Sequence, residues 1–253
     1  MQTQSRSWAR GIAPAGAVFA SVLLAAGCAS RRAEPVPLPP KPIGEIAAQP
    51  ATGTSAPPVV PAGARAYLID GPKSVVTIRV HRAGPLAKLG HNHVVTTSQL
   101  TGWAWQGRDP AGSGFEIHVP VASLVVDDPA ARAAAGPGFE ADVPDSARKG
   151  TYQNMLRPEV LDGAAFPEVV VRAASLTGTW DDTVANADLT IRGVTRRLEV
   201  PVSVRESEGT LAASGSLRIL QSDFGITPFS VAGGAIQVAD ELELDFAIVA
   251  NAR

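Results

Sequence analysis

Two histidines one residue apart, His91 and His93 in Gly90-His91-Asn92-His93, have types and spacing that suggest chemistry. On a strand, positions i and i+2 point the same way, so the two imidazoles would stand side by side. Imidazole ligates transition metals and haem iron, but two rings are half a site. His81, across a Gly84-Pro85 turn, is the nearest third ligand, and His118 would need its own strand to lie alongside. By alternation His118 instead sides with Glu116 on a polar face. Three roles are open to the pair. The rings bond turn backbone and fix the 84–90 loop, or they meet the polar head of a ligand, or they join His81 around a metal or haem. Enzyme signatures are otherwise missing: the chain has no Gly-x-Ser-x-Gly, His-Glu-x-x-His or phosphate loop. Asp181-Asp182 and Ser222-Asp223 fall in turn sequences, where such residues cap backbone groups. The expectation is a protein without catalytic residues.

The single cysteine, Cys28, ends a different pattern. Arg6 and Arg10 precede an apolar, small-residue run over 11–26, followed by Leu24-Ala25-Ala26-Gly27-Cys28. A basic start, a short apolar run and small residues read as a secretory signal, and the run is shorter than the roughly 20 residues of a membrane-spanning helix. Small residues directly before cysteine resemble a bacterial lipoprotein signal, which implies lipidation of Cys28 and removal of 1–27. Ala29 in the next position, in place of Asp, implies the outer membrane. The alternative is an ordinary cleaved signal with a chance cysteine. One thiol allows no internal disulfide and no cysteine-based zinc site. Residues 29–63 hold nine prolines and no hydrophobic period, the composition of an extended tether that would reach about 100 Å fully stretched. The expected order is a signal over 1–27, lipidated cysteine and tether over 28–64, and a folded domain over 65–253.

That domain is positioned by strands. Apolar residues make up 45% of the 253-residue chain, enough for a buried core, and 24 glycines with 21 prolines argue against long helical arrays. Without 1–27 the chain carries 20 basic and 24 acidic residues, so it has no electrostatic footprint for nucleic acid. The dominant period is two. Val76, Ile78 and Val80 alternate with polar neighbours, as do Phe115, Ile117 and Val119; Val169 and Val171; Leu198 and Val200; and Leu244, Phe246 and Ile248. Alternation gives each strand one buried and one wet face. Gly193-Val194, residues 180–183 and 207–209 read as tight turns, so the strands form an antiparallel sheet, and about eight would close into a barrel or a sandwich. Pro201 suits a strand interior only where its missing N–H faces an edge or bulge. Asp240 shares parity with inward Val238 and Leu242, so a bulge or a buried donor must accommodate it. Trp103 and Trp105 share one face, either the outer side or the cavity wall.

Residues 127–166 break the period. Asp128-Pro129, an alanine-rich turn and Gly136 predict a short capped helix, and 144–156 and 158–161 predict two more. Such an insertion between strands is expected to cover one end of the barrel and to gate it. Phe139, Val143, Tyr152, Met155, Leu156, Leu161 and Phe166 supply its apolar side.

Taken in order, several of these segments resemble the YceI-like family of bacterial periplasmic proteins. They are Tyr67-Leu68-Ile69-Asp70 with Ser74-Val75-Val76-Thr77-Ile78, and Glu159-Val160-Leu161-Asp162 running on to Ala165-Phe166-Pro167-Glu168-Val169-Val170-Val171. Leu189-Thr190-Ile191-Arg192-Gly193-Val194-Thr195, Gly215-Ser216-Leu217 and Ser222-Asp223-Phe224-Gly225-Ile226 complete the set. Arg197 stands where the family often has proline, and the histidine pair resembles one branch of it. The resemblance implies a lipocalin-like antiparallel barrel whose long apolar cavity holds a polyisoprenoid chain such as a quinone tail. The thirteen inward residues named above would then line the cavity, with His91 and His93 at its rim or against a headgroup. One isoprene unit has five carbons, so burying it contributes about 3–4 kcal/mol gross at ~0.8 kcal/mol per carbon. The expected function is non-catalytic binding of an isoprenoid or quinone-like lipid by an envelope lipoprotein, with that lipid in place of a cofactor. Two other readings are a metal- or haem-binding periplasmic protein and a stress-related envelope lipoprotein with a solid barrel.

Overall fold

The computed structural model describes residues 59–253, together with the backbone of a two-residue strand β1 at Glu45–Ile46. The expected signal segment and Cys28 lie outside the described residues. Twelve further strands follow among the described residues: β2 Arg65–Ile69, β3 Val75–Ala83, β4 His93–Thr97, β5 Thr101–Gln106, β6 Gly114–Pro120, β7 Val125–Val126, β8 Glu168–Thr179, β9 Asp182–Ile191, β10 Val194–Ser207, β11 Thr210–Leu220, β12 Ser230–Val231 and β13 Ile236–Ala252.

Three pairs of these strands are single long strands with a break. A 3-10 turn at Gly71–Lys73 joins β2 to β3, residues 98–100 join β4 to β5, and a 3-10 turn at Val121–Ser123 joins β6 to β7. Counted so, eight strands follow one another as an antiparallel meander, each paired with the next. The last, β13, returns to the first: residues 237–247 pair with β3 and 250–252 with β2, while its other edge pairs with β11. The sheet therefore closes, which removes exposed edges. This is the expected antiparallel barrel with short helices.

Local chemistry explains the hairpins. Arg192 and Gly193 have φ of 51° and 74°, and Glu208 and Gly209 have 50° and 79°, so both turns are two-residue connections with positive φ throughout. Such turns match the right-handed twist of the strands they join. The first lies one residue earlier than the Gly193-Val194 reading, because Val194 already pairs with Ile191. Alternation from these turns directs odd-numbered amides of β10 toward β11. Pro201 is odd-numbered and lies beyond the last β10–β11 pair, Ser203 with Ser214, so its missing N–H removes no ladder bond. Opposite His81, β13 bulges between Val238 and Leu242. The bulge frees Asp240 to accept from the Ser222 amide at 2.8 Å and its hydroxyl at 2.5 Å.

The insertion has two parts. Helix α1, Pro129–Ala134, is capped by Asp128, which accepts from the amides of Ala130 and Ala131. It packs on β4. Helix α2, Asp145–Met155, lies nearer the barrel end, where Tyr152, Met155, Leu156 and Leu161 pack against the core around Val95, Val121, Leu124 and Val126. The helix expected at 158–161 is instead a run of turns. Among the described residues no helix is long and apolar enough to cross a membrane.

Candidate functional site

The barrel is not solid. A chamber of about 190 Å³ and a second of about 370 Å³ lie along its interior. They are adjacent and share Val76, Val119, Val171, Leu189 and Leu244 as wall residues. The larger falls in the range of about 300–1,000 Å³ usual for small-molecule sites. Phe115, Ile117, Leu198, Val200, Phe246 and Ile248 line the smaller chamber, and Ile78, Val80 and Val169 the larger. With Val76, Val119, Val171 and Leu244, these complete the thirteen inward residues named from the sequence.

Alternation missed other lining residues. Ala185, Ala187 and Leu189 face inward from β9, where alanine among Asn, Asp and Thr gives only a faint apolar period. These small side chains leave the room that larger ones would fill. Leu176 also lines the smaller chamber; a bulge at Ala174 shifts β8 by one residue and reverses the phase set by Val169 and Val171. Gly215 makes space of another kind, since a Cβ there would lie 2.7 Å from the Phe246 ring.

The ends differ. Beyond the smaller chamber, Tyr67 is fully buried and donates to Gln106 at 3.1 Å, with the Arg65 guanidinium 5.7 Å from its ring centre. Burial chiefly, with Glu206, pushes the Tyr67 phenol up from its ordinary value. Trp105 lies over Gly114 and, with Trp180, reaches the chamber wall, whereas Trp103 stands by the Arg253 guanidinium at 4.9 Å. The larger chamber opens toward the 84–92 loop, α2 and residues 221–237, and its wall includes Arg82, His91, His93, Gln221 and Gln237.

The histidines separate into different settings. Of the adjacent pair, His93 lies in a strand and His91 precedes β4, yet the rings stack with centres 6.1 Å apart. Among the described residues, neither ring hydrogen-bonds the loop backbone. Asn92 between them fixes the loop instead, accepting from the Arg82 amide at 3.0 Å and donating to Gly138 O at 3.0 Å. His93 Nδ1 bonds Asp127 Oδ2 at 2.6 Å. His81 meets the Phe139 ring edge-on at 5.6 Å, and its Nε2 lies 3.7 Å from Glu243. His118 is held by Glu116 at 2.8 Å and Glu168 at 3.0 Å, on a strand that pairs with β5 and β8. Among the described residues no three His, Cys, Asp or Glu side chains converge as metal ligands, so His81, His91 and His93 form no triad.

Sequence reasoning did not find the network under His93. Asp127 is 0% exposed; its Oδ1 accepts from the Val94 amide at 2.9 Å and Arg132 Nη1 at 2.6 Å. Arg132 donates onward to Asn92 O and Ala141 O, each at 2.8 Å. Burial opposes charge on Asp127, but the bonds from His93, Val94 and Arg132 outweigh it and hold the carboxyl below its ordinary value. Its φ of 53° is unusual for a residue with a Cβ and is stabilised by these partners.

The comparisons with known proteins agree with this architecture. The YceI-like domain family matches residues 67–250. Among solved structures, BcnA of Burkholderia cenocepacia superposes with a TM-score of 0.52 at 17% identity, covering 72% of this chain and 98% of its own. A polyisoprenoid-binding domain from Saccharophagus degradans, implicated in plant cell wall breakdown, gives 0.50 at 12% identity, covering 75% and 99%. No curated protein matches the chain. With a family match across nearly the whole closed barrel, the chain belongs to the YceI-like family.

Proposed function

We propose that this protein binds an isoprenoid or quinone-like lipid inside its barrel, without catalysis, as a lipoprotein of the bacterial envelope. The carrying observation is the pair of adjacent apolar chambers, whose walls have five residues in common. An extended prenyl chain suits a long, narrow, branched-aliphatic lumen. Two or three buried isoprene units, at about 3–4 kcal/mol gross each, would exceed the lower part of the roughly 4–15 kcal/mol cost of association. Polyisoprenoid binding by the Saccharophagus domain, which shares this fold, supports the same reading.

Titration with a prenyl quinone tests it. Trp105 and Trp180 both border the smaller chamber, so a prenyl chain that displaces water there should change their emission saturably. An unchanged emission, together with no displacement of an apolar dye, would count against the lumen as a binding site. The anchoring part of the proposal rests on Cys28 and Ala29: the chain sits on the periplasmic side of the outer membrane, tethered by its lipidated N-terminus. Cys28→Ser should move the protein from the outer-membrane fraction to the soluble periplasm, and an unchanged distribution would refute the anchor.

A further inference from the structure

The polar groups around the larger chamber differ in whether the protein already satisfies them. Arg82 donates to Gly90 O at 2.8 Å, Gln221 to Ala239 O at 2.8 Å and Gln237 to Gly234 O at 2.6 Å. Thr97 pairs with Ser123 at 2.7 Å. The imidazoles are less satisfied: among the described residues His81 Nε2 is buried without a hydrogen bond, and no group hydrogen-bonds His93 Nε2. Of the three histidines on this wall, His93 is the one whose other ring nitrogen is fixed, by Asp127 at 2.6 Å.

The identity of the proton on Nδ1 follows from Asp127. An ionised carboxylate only accepts, and this one already accepts from the Val94 amide and from Arg132. The proton in the 2.6 Å contact therefore belongs to His93 Nδ1. In the neutral ring, Nε2 then carries a lone pair. Arg132, itself held by Asn92 O and Ala141 O, fixes the carboxylate and through it the ring.

We propose that His93, positioned by Asp127 and Arg132, is a hydrogen-bond acceptor that selects isoprenoids with a hydroxyl head over those ending in an ether, a carbonyl or bare hydrocarbon. The proposal rests on the isoprenoid reading of the lumen. A hydroxyl donates to the Nε2 lone pair, whereas an ether or carbonyl oxygen has no proton to give and would oppose one lone pair with another. A prenyl alcohol and a prenyl hydroquinol share this chemistry. One net hydrogen bond corresponds to a preference of about 3- to 10-fold.

The test is competition for delipidated protein in mildly alkaline buffer, read by native mass spectrometry. Geranylgeraniol competes with its methyl ether, and in a second arm a geranylgeranyl hydroquinone competes with the matching quinone. The wild type should prefer the hydroxyl member by about 3- to 10-fold, and preference in one arm alone identifies which head fits. His93→Phe should bind both members alike. Asp127→Asn, whose amide can donate to Nδ1, should place the proton on Nε2 and turn the preference toward the ether and the quinone. Equal wild-type binding within both pairs, or a preference that persists in His93→Phe, overturns the proposal and leaves the isoprenoid reading standing. Binding of no isoprenoid overturns that reading itself. An unchanged preference in folded Asp127→Asn removes Asp127 from the positioning role; if that variant does not fold, the His93→Phe comparison decides.

Discussion

Asp127 joins the fold to the cavity wall, because one carboxylate holds a strand amide, the α1 arginine and a lumen-facing histidine. Asp127→Ala would leave Arg132, 6% exposed, buried without its counter-charge. Removing one partner of a buried ion pair costs about 3–5 kcal/mol, which urea unfolding should register as a lowered midpoint. The pH dependence follows from the depressed carboxyl. Its contribution is present above the unfolded-state value and lost as pH falls through the lower folded-state value. Stability should therefore fall on acidification below the ordinary carboxylate range, and Asp127→Asn should flatten that part of the profile. A second residue tests backbone geometry. Gly102 has φ of 140°, and a Cβ there would lie 2.1 Å from Glu116 O. Gly102→Ala should lower the thermal midpoint despite the general benefit of alanine over glycine in the unfolded chain. Neither residue was legible beforehand. Asp127-Asp128-Pro129 reads as a helix start, and Asp128 is indeed the cap, but the inward turn of Asp127 depends on Arg132 and His93 meeting it in three dimensions.

At the level of elements, the strands with strong apolar alternation were readable because each has one face in the lumen and one outside. β9 and the second half of β8 were harder, one for its alanines and the other for its bulge. The histidine motif misled for a related reason: the strand begins at His93, so His91 lies in the loop. The helical insertion was located correctly from its cap and proline, yet only α2 and the turns after it border the larger chamber. The gating expectation thus narrows to α2, whose Thr151, Asn154 and Met155 line the chamber. Hydrogen exchange should find its amides more protected after loading with a prenyl lipid, and α1 unchanged. Equal protection of α2 in empty and loaded protein would make it a fixed cap.

For the whole molecule, the wall residues common to both chambers test whether one ligand spans them. Val171 lines both, so Val171→Trp should block a spanning chain at a packing cost of about 1–3 kcal/mol. The variant should favour shorter chains than the wild type, measured by competing a prenyl series, and an unchanged length preference would argue against a ligand spanning both chambers. The antiparallel order was legible from turn chemistry, whereas closure into a barrel around a cavity came with the family resemblance, since it depends on how side chains from eight strands meet. The most direct test of lipid binding is mass spectrometry of an organic extract from protein purified natively, without detergent exchange, from its own envelope. A prenyl-chain lipid is expected at near one per protein, released on denaturation. Protein that is lipid-free as isolated and takes up no prenyl lipid when offered one would refute lipid binding in the barrel.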